Sequence, residues 1–350
     1  MAKKSLTRHK AASMTKKTSK VIIGILIVCA LVLITPRVLH GYSMNVVNVA
    51  LLFSITAFGI SILLGMGGQM SFAAVSFMGG GAYFIANMCT SRFGINMPTL
   101  PALLVTPVIF AGVGFLIGLL LFKLKGTYFT FATIALVQVT YAFYNNYKPL
   151  FGGADGISNI PTLNLFGYKF TGYNTWFYAI AVIVIIVALA VERIRRSQLG
   201  RALASIRDNE TAALTLGVNT YITKVIAFSI AAALASLSGA LWCMHNKFVG
   251  ADMFNYLNAA QFIIMAMLGG VNNTIGIVVG SILVKCLPEF LRSFQKFMQL
   301  FWGISIIVLM VFMPSGLAGI KDMIVEKLRG RKAQSQSKGG DGVHAANPEA

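Results

Sequence analysis

Long apolar runs separated by short polar segments fill the chain between residues 21 and 320. A helix that crosses a bilayer needs about 20 predominantly apolar residues, and about 17 is the lower limit. On this scale the pattern predicts an all-α polytopic membrane protein with about ten transmembrane helices, of which the first and the eighth are short. Their predicted ranges are 21–35, 46–64, 72–88, 101–121, 128–144, 176–191, 225–243, 259–268, 275–291 and 298–316.

The composition agrees with a bilayer environment. Of the 350 residues, 57% are hydrophobic and 11% are charged, whereas a soluble domain is usually about a quarter charged. The formal net charge of +19 would favour nucleic-acid binding if it were spread over a soluble surface. The basic residues are instead concentrated at the two ends of the chain and in one loop, so the bilayer is the expected partner and nucleic acid is not.

The positions of Lys and Arg predict the orientation and the domain organisation. With the N-terminus inside, 21 of the 29 lie in segments assigned to the cytoplasmic side and 7 in segments assigned to the outer side, and cytoplasmic loops retain the basic residues. Residues 1–20 are therefore predicted to be an uncleaved basic cytoplasmic tail, and 21–320 the transmembrane domain. Residues 321–350 are predicted to be a cytoplasmic tail, disordered where the sequence becomes polar and rich in Gly, Ser and Gln.

Motifs for catalysis or metal binding are absent from the sequence. The cysteines Cys29, Cys89, Cys243 and Cys286 lack C-x-x-C spacing, so neither a disulfide framework nor a metal site is expected. There is no H-E-x-x-H motif and no G-x-x-x-x-G-K-[ST] motif. The chain is predicted not to be an enzyme and to hold no cofactor, and any ATP that drives it must bind to another chain.

An ion-coupled carrier needs a titratable group at depth in the membrane. The one acidic residue within a predicted span is Glu289, which lies near the outer end and four residues after Lys285. We interpret these two residues as a partly exposed pair, with Lys285 extending to the interface. This argues against a stand-alone secondary carrier, which remains an alternative.

Neutral polar residues follow one side of the predicted helix 128–144. At about 100° per residue, Thr127, Thr130, Gln138 and Tyr141 lie within about 80° of one another. Two interpretations remain open. These side chains form hydrogen bonds between helices, or they line a translocation path for a polar solute without net charge.

Two glycine-rich segments interrupt the helical pattern. The first, "GMGGQMSF" at 65–72, contains Gln69 and Ser71 and predicts a broken helix beside a path, because irregular backbone at membrane depth must be covered by protein or water. The second, "FGGADGISNIP" at 151–161, predicts an outer loop or gate. Its candidate gate residues are Gly152, Gly153, Asp155 and Gly156. A plain turn is the alternative for both segments.

The polar loop 192–224 predicts one or two short amphipathic helices, with apolar residues at helical spacing. Asp208 or Asn209 is placed to cap the second, and Gly217 is placed to end it. Acidic and basic side chains are mixed along this loop, and small residues leave room for close contact. We therefore expect it to dock on a protein rather than to lie on lipid.

Several motifs together carry a family resemblance. The loop "SQLGRALASIRDNETAALTLGVN" at 197–219 is accompanied, in order, by "GQMSF" at 68–72, "GAY" at 81–83, "GTYF" at 126–129, "GGADGI" at 152–157, "MLGGVNNTIG" at 267–276 and "PSGLAG" at 314–319. This series resembles the LivM-type branched-chain amino-acid permeases of bacterial ABC importers. The resemblance covers about residues 45–320.

The resemblance implies the ABC importer permease fold in the bacterial inner membrane and a cytoplasmic coupling loop that docks on an ATP-binding subunit. By position it assigns this docking to Gly200, Arg201, Ile206, Arg207, Asn209, Glu210, Ala213 and Gly217. The implied partners are a second, homologous permease, two ATP-binding subunits and a periplasmic or lipid-anchored substrate-binding protein. ATP hydrolysis on those subunits would drive uptake of branched-chain or similar amino acids.

The sequence departs from the family pattern at two positions. Phe151 stands where Thr often precedes the outer glycines, and Ile277 stands where Pro often follows Gly276. These departures leave urea or short amides open as alternative solutes. A membrane scaffold without a transport role is a further alternative, but it leaves the polar stripe and the broken helix unexplained.

Overall fold

The computed structural model describes residues 41–90, 92, 95–124, 126–165, 167–290, 300 and 304. The predicted tails 1–20 and 321–350, the predicted first helix 21–35 and Cys29 lie outside these residues. So does the predicted tenth helix, apart from residues 300 and 304. Each of the other eight predicted helices corresponds to a helix in the described part of the chain.

The described residues form eleven α-helices, several of them joined by very short connections. Helix α1 continues into one π-helical stretch, Ser61–Met66. The α-helices are α1 Tyr42–Ile60, α2 Ala74–Cys89, α3 Thr99–Leu121, α4 Thr127–Asn146, α5 Lys148–Phe151, α6 Tyr173–Arg196, α7 Gln198–Asp208, α8 Glu210–Thr215, α9 Thr220–Asn246, α10 Tyr256–Gly269 and α11 Thr274–Phe290. Two 3₁₀ segments, Gly153–Asp155 and Ala251–Phe254, lie in the connections.

Four two-residue strands, which the sequence pattern did not predict, connect loops to one another through backbone pairing. They are β1 Ile157–Ser158, β2 Asn164–Leu165, β3 Tyr168–Lys169 and β4 Phe248–Val249, paired antiparallel as β1 with β4 and β2 with β3. We call the end of the bundle that carries these strands the strand end. The opposite end, which carries α7 and α8, is the loop end.

Helix length and composition confirm a multi-pass, all-α membrane protein. Four helical segments are long and apolar enough to cross a bilayer: Tyr42–Met66, Thr99–Leu121, Tyr173–Arg196 and Thr220–Asn246. Helices α2, α10 and α11 are apolar but shorter. The total of ten spans and the cytoplasmic position of both termini remain predictions.

Helix α9 lies at the centre of the bundle because small residues let its neighbours approach closely. A Cβ atom on Gly239 would lie 1.9 Å from the carbonyl oxygen of Met78 on α2. A Cβ atom on Gly81 would lie 2.2 Å from the carbonyl oxygen of Ser236 on α9. Such backbone contact between helices is the role of small residues in membrane bundles, where lipid provides no hydrophobic drive.

Helices α3 and α6 lie at the periphery. Only 22% of the apolar window of α3 and 33% of that of α6 is buried, against 94% for α1. The outward side chains are aliphatic: Leu104, Val108, Leu116 and Leu120 on α3, and Val182, Ile186 and Leu189 on α6. We call these two surfaces the aliphatic faces, and their composition suits contact with lipid acyl chains.

Candidate transport face and coupling loop

The loop between α6 and α9 forms two short helices, α7 and α8, as its pattern predicts. The side chain of Asn209 begins α8, because its Oδ1 accepts a hydrogen bond from the amide of Ala212 at 3.0 Å. Gly217 follows the end of α8 with φ +82°, a conformation that favours glycine. The predicted cap and the predicted stop are both confirmed.

Arg207 connects α7 to the break that follows α1. Its Nη1 donates a hydrogen bond to the carbonyl oxygen of Gly65 at 2.7 Å. Gly68, with φ +65°, lies directly below the same side chain, since a Cβ atom there would be 2.8 Å from Cγ of Arg207. The predicted helix break is confirmed at Gly67–Ala73, and the arginine holds the loop against it.

The contacts continue from the break to the turn between α10 and α11. A Cβ atom on Gly65 would lie 2.5 Å from the carbonyl oxygen of Val271 and 3.0 Å from Oδ1 of Asn272. The start of α11 is also held from α6, where Arg195 Nη1 is 3.4 Å from Oγ1 of Thr274. One continuous set of contacts therefore joins α7, the break and the α10–α11 turn.

Burial divides the predicted docking residues into two groups. Arg201, Arg207, Asn209, Glu210 and Gly217 are exposed. Gly200, Ile206 and Ala213 are buried inside the subunit, with Ile206 at 4% and Ala213 at 1% exposure. These three residues shape the loop from within the subunit, and the docking role assigned to them stays a prediction.

Two leucines that the docking assignment omitted are exposed on this loop. Leu214 is 53% exposed and Leu216 is 80% exposed. Leu214 lies in α8, and Leu216 lies beyond the last residue of that helix. Leu214 and Leu216 therefore join the exposed residues of this loop.

An ion pair fixes α8 to the central helix. Lys224 Nζ lies 2.7 Å from Oε1 of Glu210, and the lysine side chain is 11% exposed. The position of α8 is therefore linked to α9 as well as to α7.

One side of α4 forms hydrogen bonds to neighbouring segments. Thr130 Oγ1 donates to the carbonyl oxygen of Met70 at 3.1 Å, which brings Thr130 next to Gln69 and Ser71 in the break. Gln69 is half-buried and Ser71 is buried, and Oγ of Ser71 accepts a hydrogen bond from the amide of Ala73 at 3.3 Å. For Thr130 the observed contact agrees with the hydrogen-bonding interpretation, and the path role of Gln69, Ser71 and Thr130 stays a prediction.

The adjoining side of α4 remains accessible. Thr127 and Gln138 are exposed, and Tyr141 is half-buried with its hydroxyl 3.4 Å from Oδ1 of Asp252. We call Thr127, Gln138, Tyr141 and Asp252 the polar face. It differs from the aliphatic faces of α3 and α6, because an amide and a carboxylate are costly in contact with lipid. This composition suits a water-filled path or a protein partner.

Asp252 reaches this position because the chain turns back into the bundle after β4. The next aromatic residue, Phe254, is fully buried with its ring centroid 6.0 Å from that of Tyr83 and 5.9 Å from that of Tyr144. Tyr141 lies five residues before the end of α4, which places it about 7 Å below that end. The sequence pattern assigned 244–258 to an outer loop and missed this carboxylate.

The predicted outer gate is a tight turn. Gly152, Gly153 and Gly156 have φ of +78°, +65° and +67°, and Asp155 is exposed. A Cβ atom on Gly156 would lie 2.4 Å from the carbonyl oxygen of Val249 on β4. The turn therefore packs against the strand end, and a gating role stays a prediction.

Lys285 differs from its predicted placement. Its Nζ lies 5.0 Å from the ring centroid of Phe53 on α1, and Phe53 is 2% exposed. The ammonium group therefore points into the bundle and contacts an aromatic ring, and the predicted extension to the interface is wrong. The side chain of Glu289 lies outside the described residues, so the predicted pair stays a prediction.

Within the described part of the chain, no three His, Cys, Asp or Glu side chains come together as metal ligands. Cys89 and Cys243 are buried, and Cys286 is half-buried. The expectations about metals and cofactors remain predictions.

Comparison with known proteins gives consistent matches. Residues 42–314 match the family model described as branched-chain amino acid transport system / permease component. The high-affinity branched-chain amino acid transport system permease proteins LivM of Salmonella typhimurium and Escherichia coli are each 25% identical over 305 residues, which cover 81% of this chain and 71% of theirs. The probable branched-chain amino acid transport permease protein LivM of Methanocaldococcus jannaschii is 23% identical over 301 residues, covering 77% of this chain and 86% of its own.

No solved structure matches the chain significantly. The family match includes the loop 192–224, the helix break and the polar face within a single range. The chain therefore belongs to the family of permease components of branched-chain amino acid transport systems.

Proposed function

We propose that this chain is the membrane permease subunit of an ABC importer for branched-chain or similar amino acids in the bacterial inner membrane. The observation that carries the proposal is the hydrogen bond of 2.7 Å from Arg207 to Gly65, which joins a polar loop to the π-helical turn that leads into the helix break. The relatives support the class of solute, because all three are named as branched-chain amino acid permeases.

The loop end is the proposed cytoplasmic side, and ATP hydrolysis is assigned to two partner subunits that bind there. Their contact surface would comprise the exposed loop residues, including Leu214 and Leu216. Movement of α7 and α8 on nucleotide binding would pass through Arg207 to the break, and from Gly65 to the α10–α11 turn. Coupling through packed groups of this kind needs an element with two arrangements, and we assign that role to the break.

The polar face is the proposed wall of the translocation path, completed by a second, homologous permease. A zwitterionic amino acid needs polar groups in place of its lost water, and Gln138 and Tyr141 provide them. The strand end, with its glycine turn, would face a substrate-binding protein outside the membrane. Both termini are proposed to be cytoplasmic.

Replacing Leu216 by Asp tests the docking surface. We expect the amount of ATP-binding subunit that copurifies with the permease in mild detergent to fall about tenfold, because a charge replaces an apolar anchor at the centre of the interface. Leu124→Asp is the matched control, since Leu124 is another exposed leucine, at 44%, between α3 and α4 at the loop end. Equal copurification of the Leu216→Asp variant and the unaltered chain would contradict the proposed surface.

A further inference from the structure

A groove between α2, α3 and α5 lies apart from the proposed translocation path. Its volume is about 540 Å³, within the range of about 300–1,000 Å³ that is typical of ligand sites. Its lining is mainly apolar and includes Phe84 of α2, Phe110 of α3 and Phe151 of α5. The groove is open at its rim, where Leu150 is 39% exposed and Ile95 is 52% exposed. An open apolar groove on a membrane protein suits a hydrocarbon chain.

The groove extends over the depth of one bilayer leaflet. Helix α2 lines it from Gly80 to Met88, a rise of about 12 Å. Phe110 lies 11 residues after the first residue of α3, Thr99, which is about 16 Å along the helix. Thr99 marks the strand end, because its Oγ1 accepts a hydrogen bond from the amide of Asn164 on β2 at 2.9 Å. The hydrocarbon core is about 30 Å thick, so the groove matches the length of a single leaflet, about 15 Å.

Basic side chains lie at the strand end of the groove. Arg92 is exposed, and its Nη2 donates a hydrogen bond to the carbonyl oxygen of Lys148 at 2.8 Å. Lys148 is also exposed and begins α5, whose Leu150 lines the groove and accepts a hydrogen bond from Nδ2 of Asn87 at 3.0 Å. Neither cation is in an ion pair with a carboxylate of the described residues. A guanidinium and an ammonium group above an apolar groove complement a phosphate above an acyl chain.

Two polar groups in the groove wall have no hydrogen-bond partner among the described residues. They are the hydroxyl of Tyr83 and Oδ1 of Asn87, one helical turn apart on α2. Tyr83 is 1% exposed and Asn87 is 5% exposed. Because buried polar groups normally have a partner, these two favour a ligand with polar groups at this depth over one that is hydrocarbon throughout. The glycerol and ester groups of a phospholipid lie between its phosphate and its acyl chains.

We infer that this groove binds an anionic phospholipid from the leaflet at the strand end. The phosphate lies at Arg92 and Lys148, and one acyl chain follows the groove toward Phe110. The bound lipid holds α3 to α2 and α5 at the strand end. The inference goes beyond the proposed function and is independent of it, since the lipid occupies the groove whichever solute is transported.

The test measures lipid binding to the purified full-length chain in mild detergent by native mass spectrometry. The probes are dioleoylphosphatidylglycerol, which is anionic, and dioleoylphosphatidylcholine, which has the same acyl chains and no net charge. We expect one phosphatidylglycerol molecule to bind the unaltered chain with about fivefold or higher preference over phosphatidylcholine, the effect of a basic residue near an anionic lipid surface.

Arg92→Gln is expected to lose most of this preference, and Arg92→Lys, which keeps the charge, is expected to retain most of it. Lys247→Gln is the matched control, because Lys247 is an exposed cation beside β4 at the strand end and outside the groove lining. This variant is expected to show the preference of the unaltered chain.

A further variant tests the groove itself. Leu150→Trp is expected to lose both lipids, because an indole ring fills space that the acyl chain needs. Leu189→Trp is its control, since Leu189 is 67% exposed on the aliphatic face of α6. The midpoint of thermal unfolding is expected to rise when phosphatidylglycerol is added to the unaltered chain and to stay the same for Leu150→Trp, because a ligand of the folded state stabilises it.

Three results would overturn the assignment. Equal affinity of the unaltered chain for the two lipids would exclude an anionic ligand. Equal loss of both lipids in Arg92→Gln would mean that Arg92 only holds α5 in place and does not bind the phosphate. Undiminished binding of phosphatidylglycerol to Leu150→Trp would place the lipid elsewhere on the protein.

Discussion

Replacing Arg207 by Gln is expected to leave ATP hydrolysis running in the assembled importer while solute uptake falls by about 10- to 100-fold, the effect of losing a hydrogen bond from a charged donor. The guanidinium of Arg207 donates to Gly65 at 2.7 Å, and a glutamine side chain is too short to keep this contact. Leu214 and Leu216 of the proposed docking surface are unchanged in this variant, so we expect the ATP-binding subunit to stay bound while movement of the loop no longer reaches the break.

The ratio of solute transported to ATP hydrolysed measures this effect directly. Arg193→Gln is the matched control, because Arg193 is an exposed arginine in the last turn of α6 and on the same side of the membrane. If Arg207→Gln and Arg193→Gln give the same ratio as the unaltered chain, Arg207 does not transmit movement to the break.

Replacing Gly239 by Val is expected to give a large loss of stability in the bundle. A Cβ atom on Gly239 would lie 1.9 Å from the carbonyl oxygen of Met78, and this neighbour is helix backbone that cannot rotate away. Helices α2 and α9 must therefore separate, which we expect to cost about 3 kcal/mol. The measurement is the midpoint of thermal unfolding in detergent, together with the yield of monodisperse protein.

Gly112 on α3 provides the control for this substitution. A Cβ atom on Gly112 would have no atom within 4 Å, so Gly112→Val is expected to change the midpoint little. Equal midpoints for Gly239→Val and Gly112→Val would mean that close backbone contact between α2 and α9 does not stabilise the bundle.

Much of the fold follows from patterns that are local in sequence. Long apolar runs located the eight predicted helices that fall within the described residues, because span length is fixed by the thickness of the bilayer. The cap at Asn209, the stop at Gly217 and the break after Gly65 were also predictable, since each depends on the conformation of a few neighbouring residues.

Features that depend on contacts between distant segments could not be predicted. Asp252 reaches Tyr141, which is 111 residues earlier, because the chain turns back from the strand end. One sequence signal indicated that the chain turns back here. The predicted eighth helix, 259–268, was too short to span a bilayer, so the segment before it was expected to lie partly within the membrane as well. The contact of Lys285 with Phe53 had no such signal.

The loop 192–224 illustrates the same division. Helical spacing predicted α7 and α8, but it did not show which side packs on the bundle. Ile206 is 4% exposed and Leu216 is 80% exposed. This difference arises because α7 packs against the break and the Lys224–Glu210 ion pair fixes the position of α8. Burial of a short helix is decided by its neighbours, which local sequence does not specify.

Uptake by reconstituted proteoliposomes is the most direct test of the proposed function. The chain is assembled with a second permease and two ATP-binding subunits, with binding protein on one side of the membrane and ATP on the other. We predict accumulation of radiolabelled leucine that requires ATP and stops when the ATP-binding subunits are omitted. Accumulation by the purified chain alone, driven by an ion gradient without ATP, would contradict the account and identify a stand-alone carrier.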